Sequence, residues 1–284
     1  MADEIQSAAD KEARLAAWLR EHGSLAIGYS GGVDSTYLAA VALEALGADH
    51  VLAIIGRSAS YPEAQWAGAR AAAAAIDLLV LEVNTDELND PRYAANPTNR
   101  CYFCKTELWS IIVPLAHERG IALVADGTNA DDLHGHRPGA RAAKEHGVVS
   151  PLALFQFSKA EIRERSRARG LPTSEQPSSP CLSSRLPYGT TVTVERLRRV
   201  EAAEAALRAL GVTGDLRVRH YGELARVELA PDEVSRWSAG DSRARLETAV
   251  IAAGYARVEI DPRGYRSGAL IELARTHGAA VSGD

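Results

Sequence analysis

Apolar positions in the first half of the chain gather into short unbroken runs, each followed by a longer mixed stretch. Leu25-Ala26-Ile27-Gly28-Tyr29 is such a run, and its continuous apolar character predicts a buried strand. His50–Ile55, Leu78–Val83 and Ile121–Ala125 repeat the pattern. Between them, Thr36–Leu46 (free of Gly and Pro), the alanine-rich Pro62–Ile76 and Cys104–Arg119 predict helices, with a kink or break in the last at Pro114. Strands alternating with helices through short connections predict an α/β fold, a parallel sheet with helices on both faces.

The pattern changes at Leu171–Pro187, where Pro and Ser cluster around Cys181. Beyond it, Val194–Leu210 predicts a helix. Leu216–His220 and Leu224–Leu229 predict a hairpin turning at Tyr221-Gly222-Glu223, Pro231–Ala253 is largely helical, and Arg257–Ile260 is a last strand. This α-β-β-α-β order predicts a small α+β domain, residues 187–284, behind a larger domain of residues 1–186.

Composition narrows the function classes. With 284 residues and a net charge of −5, the whole chain is no electrostatic magnet for nucleic acid, although Arg163–Arg169 and Arg196–Arg199 leave room for local basic patches. The longest apolar run, near Ala71–Val83, is broken by Asp77 and predicts no membrane span, and no secretory segment is visible, so the expected compartment is the cytoplasm. Three cysteines, an odd count, speak against a disulfide framework and for chemistry or metal binding.

The first candidate chemistry follows the first strand. Ser30-Gly31-Gly32-Val33-Asp34-Ser35 places two glycines and two hydroxyls at a helix N-terminus, a combination that collects backbone N–H groups around an anion. It lacks the Gly-Lys-Ser/Thr ending of a Walker A loop and does not fit G-x-G-x-x-G. It resembles the PP-loop of the ATP pyrophosphatases, which grip the β,γ-pyrophosphate of ATP and leave the α-phosphate open to attack. Gly56–Ser60 and Asp126–Asp132 also end strands, where ligands of parallel sheets bind, and are expected to converge on the same nucleotide. Arg57 and Ser58 meet the adenosine or its phosphates, or form a plain turn. Asp34, Asp131 and Asp132 are candidates for magnesium or for orienting the loop, helix capping being the alternative for the last two. Gly127 and Thr128 complete this nucleotide set.

Other segments carry a closer resemblance: Asn99-Arg100-Cys101-Tyr102-Phe103-Cys104-Lys105, Asp126-Gly127-Thr128-Asn129-Ala130-Asp131-Asp132, Arg137-Pro138-Gly139-Ala140-Arg141-Ala142, Pro180-Cys181-Leu182-Ser183-Ser184-Arg185 and Arg217-Val218-Arg219-His220. Together and in this order they resemble the LarE family of ATP-dependent sulfur transferases over roughly residues 10 to 265. The resemblance implies thiolation of the carboxylates of a pyridinium dicarboxylate mononucleotide, giving the pincer ligand that is later loaded with nickel for lactate racemase and related enzymes. It also implies ATP, Mg²⁺ and a homo-oligomer.

Cys181 is the leading candidate for sulfur chemistry, because Arg185 four residues on can lower the thiol pKa; a small buried apolar residue is the alternative. In the family the matching cysteine attacks the adenylate and is left as dehydroalanine. Cys101 and Cys104 have the C-x-x-C spacing of a zinc or iron–sulfur site, and of packed or redox pairs. Three-cysteine members are associated with a [4Fe-4S] cluster whose open iron carries an extra sulfide. With Cys101, Cys104 and Cys181 all present, the cluster reading is preferred and zinc comes next.

Arg217 and Arg219 share one strand face and, with Arg185, are candidates for a phosphate pocket, or else surface arginines. Ser184 and Glu204 are further carry-overs, with Glu201 an equally placed alternative to Glu204. His134, His136 and His220 lack ligand spacing and read as ordinary polar residues. A transfer-RNA thiolase would share the loop but needs a basic RNA-binding surface. An amide-forming synthetase on the same fold is the other rival. A nucleotide sensor would leave Cys181, Arg217 and Arg219 without purpose.

Overall fold

The computed structural model describes residues 7–133 and 137–266. Its first sheet is wholly parallel, in the order β3-β2-β1-β4, built from β1 (Leu25–Gly28), β2 (Val51–Arg57), β3 (Val80–Asn84) and β4 (Leu123–Ala125). Ala26 lies opposite Leu52 on one side and Val124 on the other, and Ala53 lies opposite Val80. Helices α1 (Ala8–His22), α2 (Val33–Leu46), α3 (Glu63–Ala74), α4 (Pro91–Ala94), α5 (Arg100–Glu118), α6 (Pro138–Glu145), α7 (Pro151–Leu154) and α8 (Lys159–Ala168) connect and cover it.

Alternation along β1 and β2 divides the core in two. Leu25, Ile27, Val51, Ala53 and Ile55 pack on Leu15, Tyr37, Val41, Ala69 and Ile162 of α1, α2, α3 and α8. Ala26, Leu52 and Ile54 pack on Trp109, Ile112 and Ala116 of α5 and on Ala142 of α6. Both faces are covered, which is why the strands read as unbroken apolar runs.

The second sheet has the order β5-β6-β7: a hairpin of β5 (Leu216–Tyr221) and β6 (Leu224–Leu229), with β7 (Arg257–Ile260) parallel to β6. Leu216 and Val218 point into a core with Ala203 and Leu207 of α9 (Val194–Ala209), Trp237 of α10 (Pro231–Trp237) and Leu246 of α11 (Gly240–Ala252). Arg217 and Arg219 therefore leave β5 on its other face. A fourth cluster, Tyr93, Leu182, Leu186, Val192, Leu197 and Val200 with Phe103 and Cys104, joins the two halves.

Several local expectations are corrected. Helix α5 starts at Arg100 and runs through Pro114 unbroken; proline removes a single N–H donor, and the buried Trp109–Ala116 face holds the helix on the sheet. Pro231–Ala253 is largely helical as expected, in two helices parted near Gly240, whose φ is +59°. The Arg163–Arg169 stretch is no open basic patch. Arg165 and Arg169 both pair with Glu12, Arg169 also with Glu44, and Arg167 with Glu175. His134 and His136 lie outside the described residues, and His220 is buried against the Tyr255 hydroxyl at 3.1 Å. Among the described residues no helix is long and apolar enough to cross a membrane.

Candidate active site

The turn from β1 into α2 builds one end of the site. Gly31 has φ +67°, and a Cβ there would stand 2.3 Å from the Ala69 backbone, so only glycine lets the loop lie on α3. Gly32 caps α2 without a side-chain bond, which leaves the first-turn N–H groups for a ligand at the positive end of the helix dipole. The Ser30 and Ser35 hydroxyls stand 3.2 Å apart, and the Gly32 N–H donates to Ser30 Oγ at 3.4 Å. The loop after β4 closes on the same helix start, where a Cβ on Gly127 would lie 3.0 Å from the Ser35 nitrogen. Thr128 is fixed by its N–H and Oγ1, which donate to the Asp126 carboxylate at 3.0 and 2.9 Å.

These residues open on a cavity of about 710 Å³ whose far wall carries Ser184, Arg217, Arg219 and Tyr265. Arg217 donates to the Leu216 and Ser178 carbonyls at 2.7 and 2.8 Å and lies 4.8 Å over the Tyr265 ring. Burial and the nearby Arg185 push its pKa down. No carboxylate forms an ion pair with it among the described residues, so its charge remains for an anion. Arg219 differs: it is buried against Glu228 at 2.7 Å and holds the Ser184 carbonyl at 2.8 Å.

Arg185 does not line this cavity, which corrects its expected place in a phosphate pocket. Its Nε and Nη2 grip Glu204 at 2.9 Å each, while Nη1 donates to the Pro180 carbonyl at 2.6 Å and to the Cys181 carbonyl and Ser184 Oγ at 3.1 Å. Glu204 also accepts the Val218 N–H at 2.9 Å. The pair thus clamps the loop carrying Cys181 to β5, acting on its backbone. Glu201 is separate and accepts the Glu63 N–H at 2.7 Å, at the start of α3.

The cation among the thiols is Arg100, which sequence reasoning passed over although it adjoins Cys101. Its Nη1 bonds Asn96 Oδ1 and the Ser183 carbonyl, the latter at 3.0 Å. The negative forms of Cys181, Cys101, Tyr93 and Tyr188 around it raise its pKa against the effect of burial. Cys101 is the most open of the three cysteines. The protein packed around its sulfur still pushes that thiol up, partly offset by Arg100 and Lys105. Burial, then Glu87, pushes Cys104 up as well. Cys181 acts on both, so the three thiols share one neighbourhood. They are not gathered as ligands: among the described residues no three His, Cys, Asp or Glu side chains form a metal-binding group. Their donor type suits an iron–sulfur cluster, and their spacing as they stand does not.

A model of the NAD synthase family matches residues 13–99. The chain is 46% identical over 244 residues, 86% of its length and 90% of the relative's, to an uncharacterized protein of Synechocystis sp.. It is 32% identical over 260 residues, 92% of its length and 93% of the relative's, to the pyridinium-3,5-bisthiocarboxylic acid mononucleotide synthase of Lactiplantibacillus plantarum. An uncharacterized protein of Methanocaldococcus jannaschii is 32% identical over 206 residues, covering 72% of this chain and 77% of that one. The chain belongs to the PP-loop ATP pyrophosphatases.

In this PP-loop protein three carboxylates line the cavity, and Asp126 among them is taken up by Thr128 and Ser150. Asp34 pairs with Lys159 at 2.6 Å and Asp132 with Arg137. They are hard oxygen donors at the end of the cavity where the phosphates of ATP belong, which fits magnesium brought with the nucleotide. Asp131 instead accepts the Lys159 N–H at 2.8 Å and fixes the start of α8. Arg57 and Ser58 do not meet the PP-loop cavity. They open on a separate recess of about 340 Å³, where Arg57 lies 4.0 Å over the Trp66 ring and Ser58 donates to Glu87 at 2.6 Å.

Proposed function

We propose that this PP-loop protein is an ATP-dependent sulfur transferase that converts the carboxylates of a pyridinium dicarboxylate mononucleotide to thiocarboxylates. One observation carries the reading: a single cavity joins the PP-loop to an arginine with no carboxylate partner among the described residues, with Cys101 and the Cys181 loop on its wall. The named activity of the Lactiplantibacillus relative supports it.

A substrate carboxylate oxygen attacks the ATP α-phosphorus, the bond to the β-phosphate breaks, and pyrophosphate leaves along the PP-loop. The α2 N–H groups, Ser30 and Ser35 hold the developing charge. Magnesium on the phosphates, beside Asp34 and Asp132, would neutralise the rest. Arg217 holds the mononucleotide phosphate. The Cys181 sulfur then attacks the acyl carbon and AMP leaves, giving a thioester. Removal of the Cys181 Cα proton breaks its Cβ–S bond, which releases the thiocarboxylate and leaves dehydroalanine.

The test is Cys181→Ala with the pyridinium-3,5-dicarboxylate mononucleotide and ATP. Pyrophosphate release is expected to persist and thiocarboxylate formation to vanish. Unchanged thiolation in the variant overturns the sulfur role. Iron and acid-labile sulfide near four each per chain, on protein purified without oxygen, would replace the sacrificial route by a sulfide bound to the iron of a cluster that Cys101, Cys104 and Cys181 would hold. Retention of transfer RNA would favour the thiolase rival.

A further inference from the structure

The cations around the cavity are not equivalent. Arg137 is neutralised by Asp132, Lys159 by Asp34 and Arg219 by Glu228. Arg217 is taken by the phosphate in the reading above. Two cations on the first turns of α5 remain. Arg100 is buried at 4% exposure, and its protein partners, Asn96, the Ser183 carbonyl and the neighbouring Cys101 thiol, include no carboxylate. Lys105 makes no ion pair among the described residues, and its ammonium lies 5.1 Å over the Trp109 ring. Both line the cavity with Cys101 between them in sequence. Gly139 keeps α6 close: a Cβ there would stand 3.1 Å from Lys105 Cγ and 3.7 Å from the Cys101 carbonyl. A buried guanidinium and a half-buried ammonium, neither with a carboxylate partner among the described residues, call for an anion.

We propose that Arg100 and Lys105 form a carboxylate subsite for the second substrate, on the cavity wall that carries Cys101 and apart from the phosphate position at Arg217. The inference rests on the proposed function and names how its substrate class is selected. Asn96 and the Ser183 carbonyl hold the Arg100 guanidinium in one orientation, so a planar carboxylate meets a prearranged donor, with Lys105 on the same cavity lining. A mononucleotide whose ring bears an amide in place of a carboxylate leaves both cations unpaired and is rejected. Because Ser183 lies two residues from Cys181, the residue that holds the carboxylate also touches the thiol loop.

Binding of pyridine-3,5-dicarboxylate, the probe, is measured by titration calorimetry on the wild type, Lys105→Gln and Arg100→Lys, with thermal melts alongside. The Gln variant is expected to bind about ten- to a hundredfold more weakly and to melt as wild type. Inorganic phosphate should bind both proteins alike. In turnover, its KM for the dicarboxylate mononucleotide should rise by the same factor while kcat and the KM for ATP hold. Arg100→Lys keeps the charge but loses the fork, and should also weaken the probe. If that variant fails to fold, Lys105→Gln decides alone.

The subsite is overturned if the wild type does not bind the probe, or if Lys105→Gln binds it as tightly as wild type. It is also overturned if probe and phosphate weaken equally. Should no pyridinium mononucleotide prompt pyrophosphate release while probe binding still depends on Lys105, the sulfur-transfer reading falls and the subsite stands. Normal turnover with an unchanged KM in Lys105→Gln gives the reverse.

Discussion

At the scale of single residues, the PP-loop was legible because its chemistry is local. Ser30, Gly31, Gly32 and Ser35 are adjacent in sequence, and backbone geometry alone brings their donors together. Gly31 tests this directly. Alanine there must hold φ near +67° with a Cβ 2.3 Å from Ala69, so the loop has to leave α3. We expect Gly31→Ala to weaken ATP binding about tenfold or more by calorimetry. Gly68→Ala, on the same helix α3 but facing open space, should instead stabilise by about 0.5–1 kcal/mol. Equal ATP affinity in Gly31→Ala would mean that the loop does not hold the nucleotide. The role of Arg185 was not legible in this way. Its proximity to Cys181 in sequence pointed to the thiol, whereas the folded loop turns backbone carbonyls toward the guanidinium and Glu204 takes its charge.

Among the elements, the parallel strands were readable from their apolar runs, and the β5–β6 hairpin from its alternation around Gly222. Helices α1, α6 and α8 were not. Their polar faces are satisfied by partners far away in sequence, as when Arg165 meets Glu12, and periodicity within a window cannot see such pairs. The turn Leu182–Arg185 depends on the same kind of distant contact: Leu182 N–H donates to the Ser60 carbonyl at 2.8 Å, and Arg185 reaches Glu204 on α9. Glu204→Gln keeps the shape but leaves a nearly fully buried guanidinium without its counter-charge. The expected cost is about 3 kcal/mol, roughly 6–12 °C in Tm. Thiolation should fall more than pyrophosphate release, because the clamp holds the Cys181 loop and not the PP-loop. A variant that melts with the wild type would show that Glu204 does not anchor this turn.

The whole molecule reports its electrostatics through its response to acid. Glu12 on α1 accepts from Arg165 and Arg169 of the α8 region and from the Tyr37 hydroxyl of α2, at 2.7 to 3.1 Å. Burial alone would raise its pKa, but the bonds to Arg165, Arg169 and Tyr37 outweigh it and hold the carboxyl at about 2, against 4.5 in an unstructured chain. A carboxylate whose folded pKa lies below its unfolded one stabilises fully above the unfolded value, and that contribution fades as pH falls toward the folded one. Glu12→Gln is therefore expected to cost about 2 kcal/mol at pH 7, a drop of roughly 4–8 °C in Tm. The gap between variant and wild type should stay constant down to about pH 5 and shrink steadily toward pH 2. Thermal melts of both proteins across that range check it. A gap that persists undiminished at pH 2 would assign the loss to packing around Glu12 and not to its charge. A gap that closes places part of this protein's acid lability at the junction of α1, α2 and α8. That junction is built on the helix that begins with the PP-loop, so its loss should loosen the nucleotide site as well.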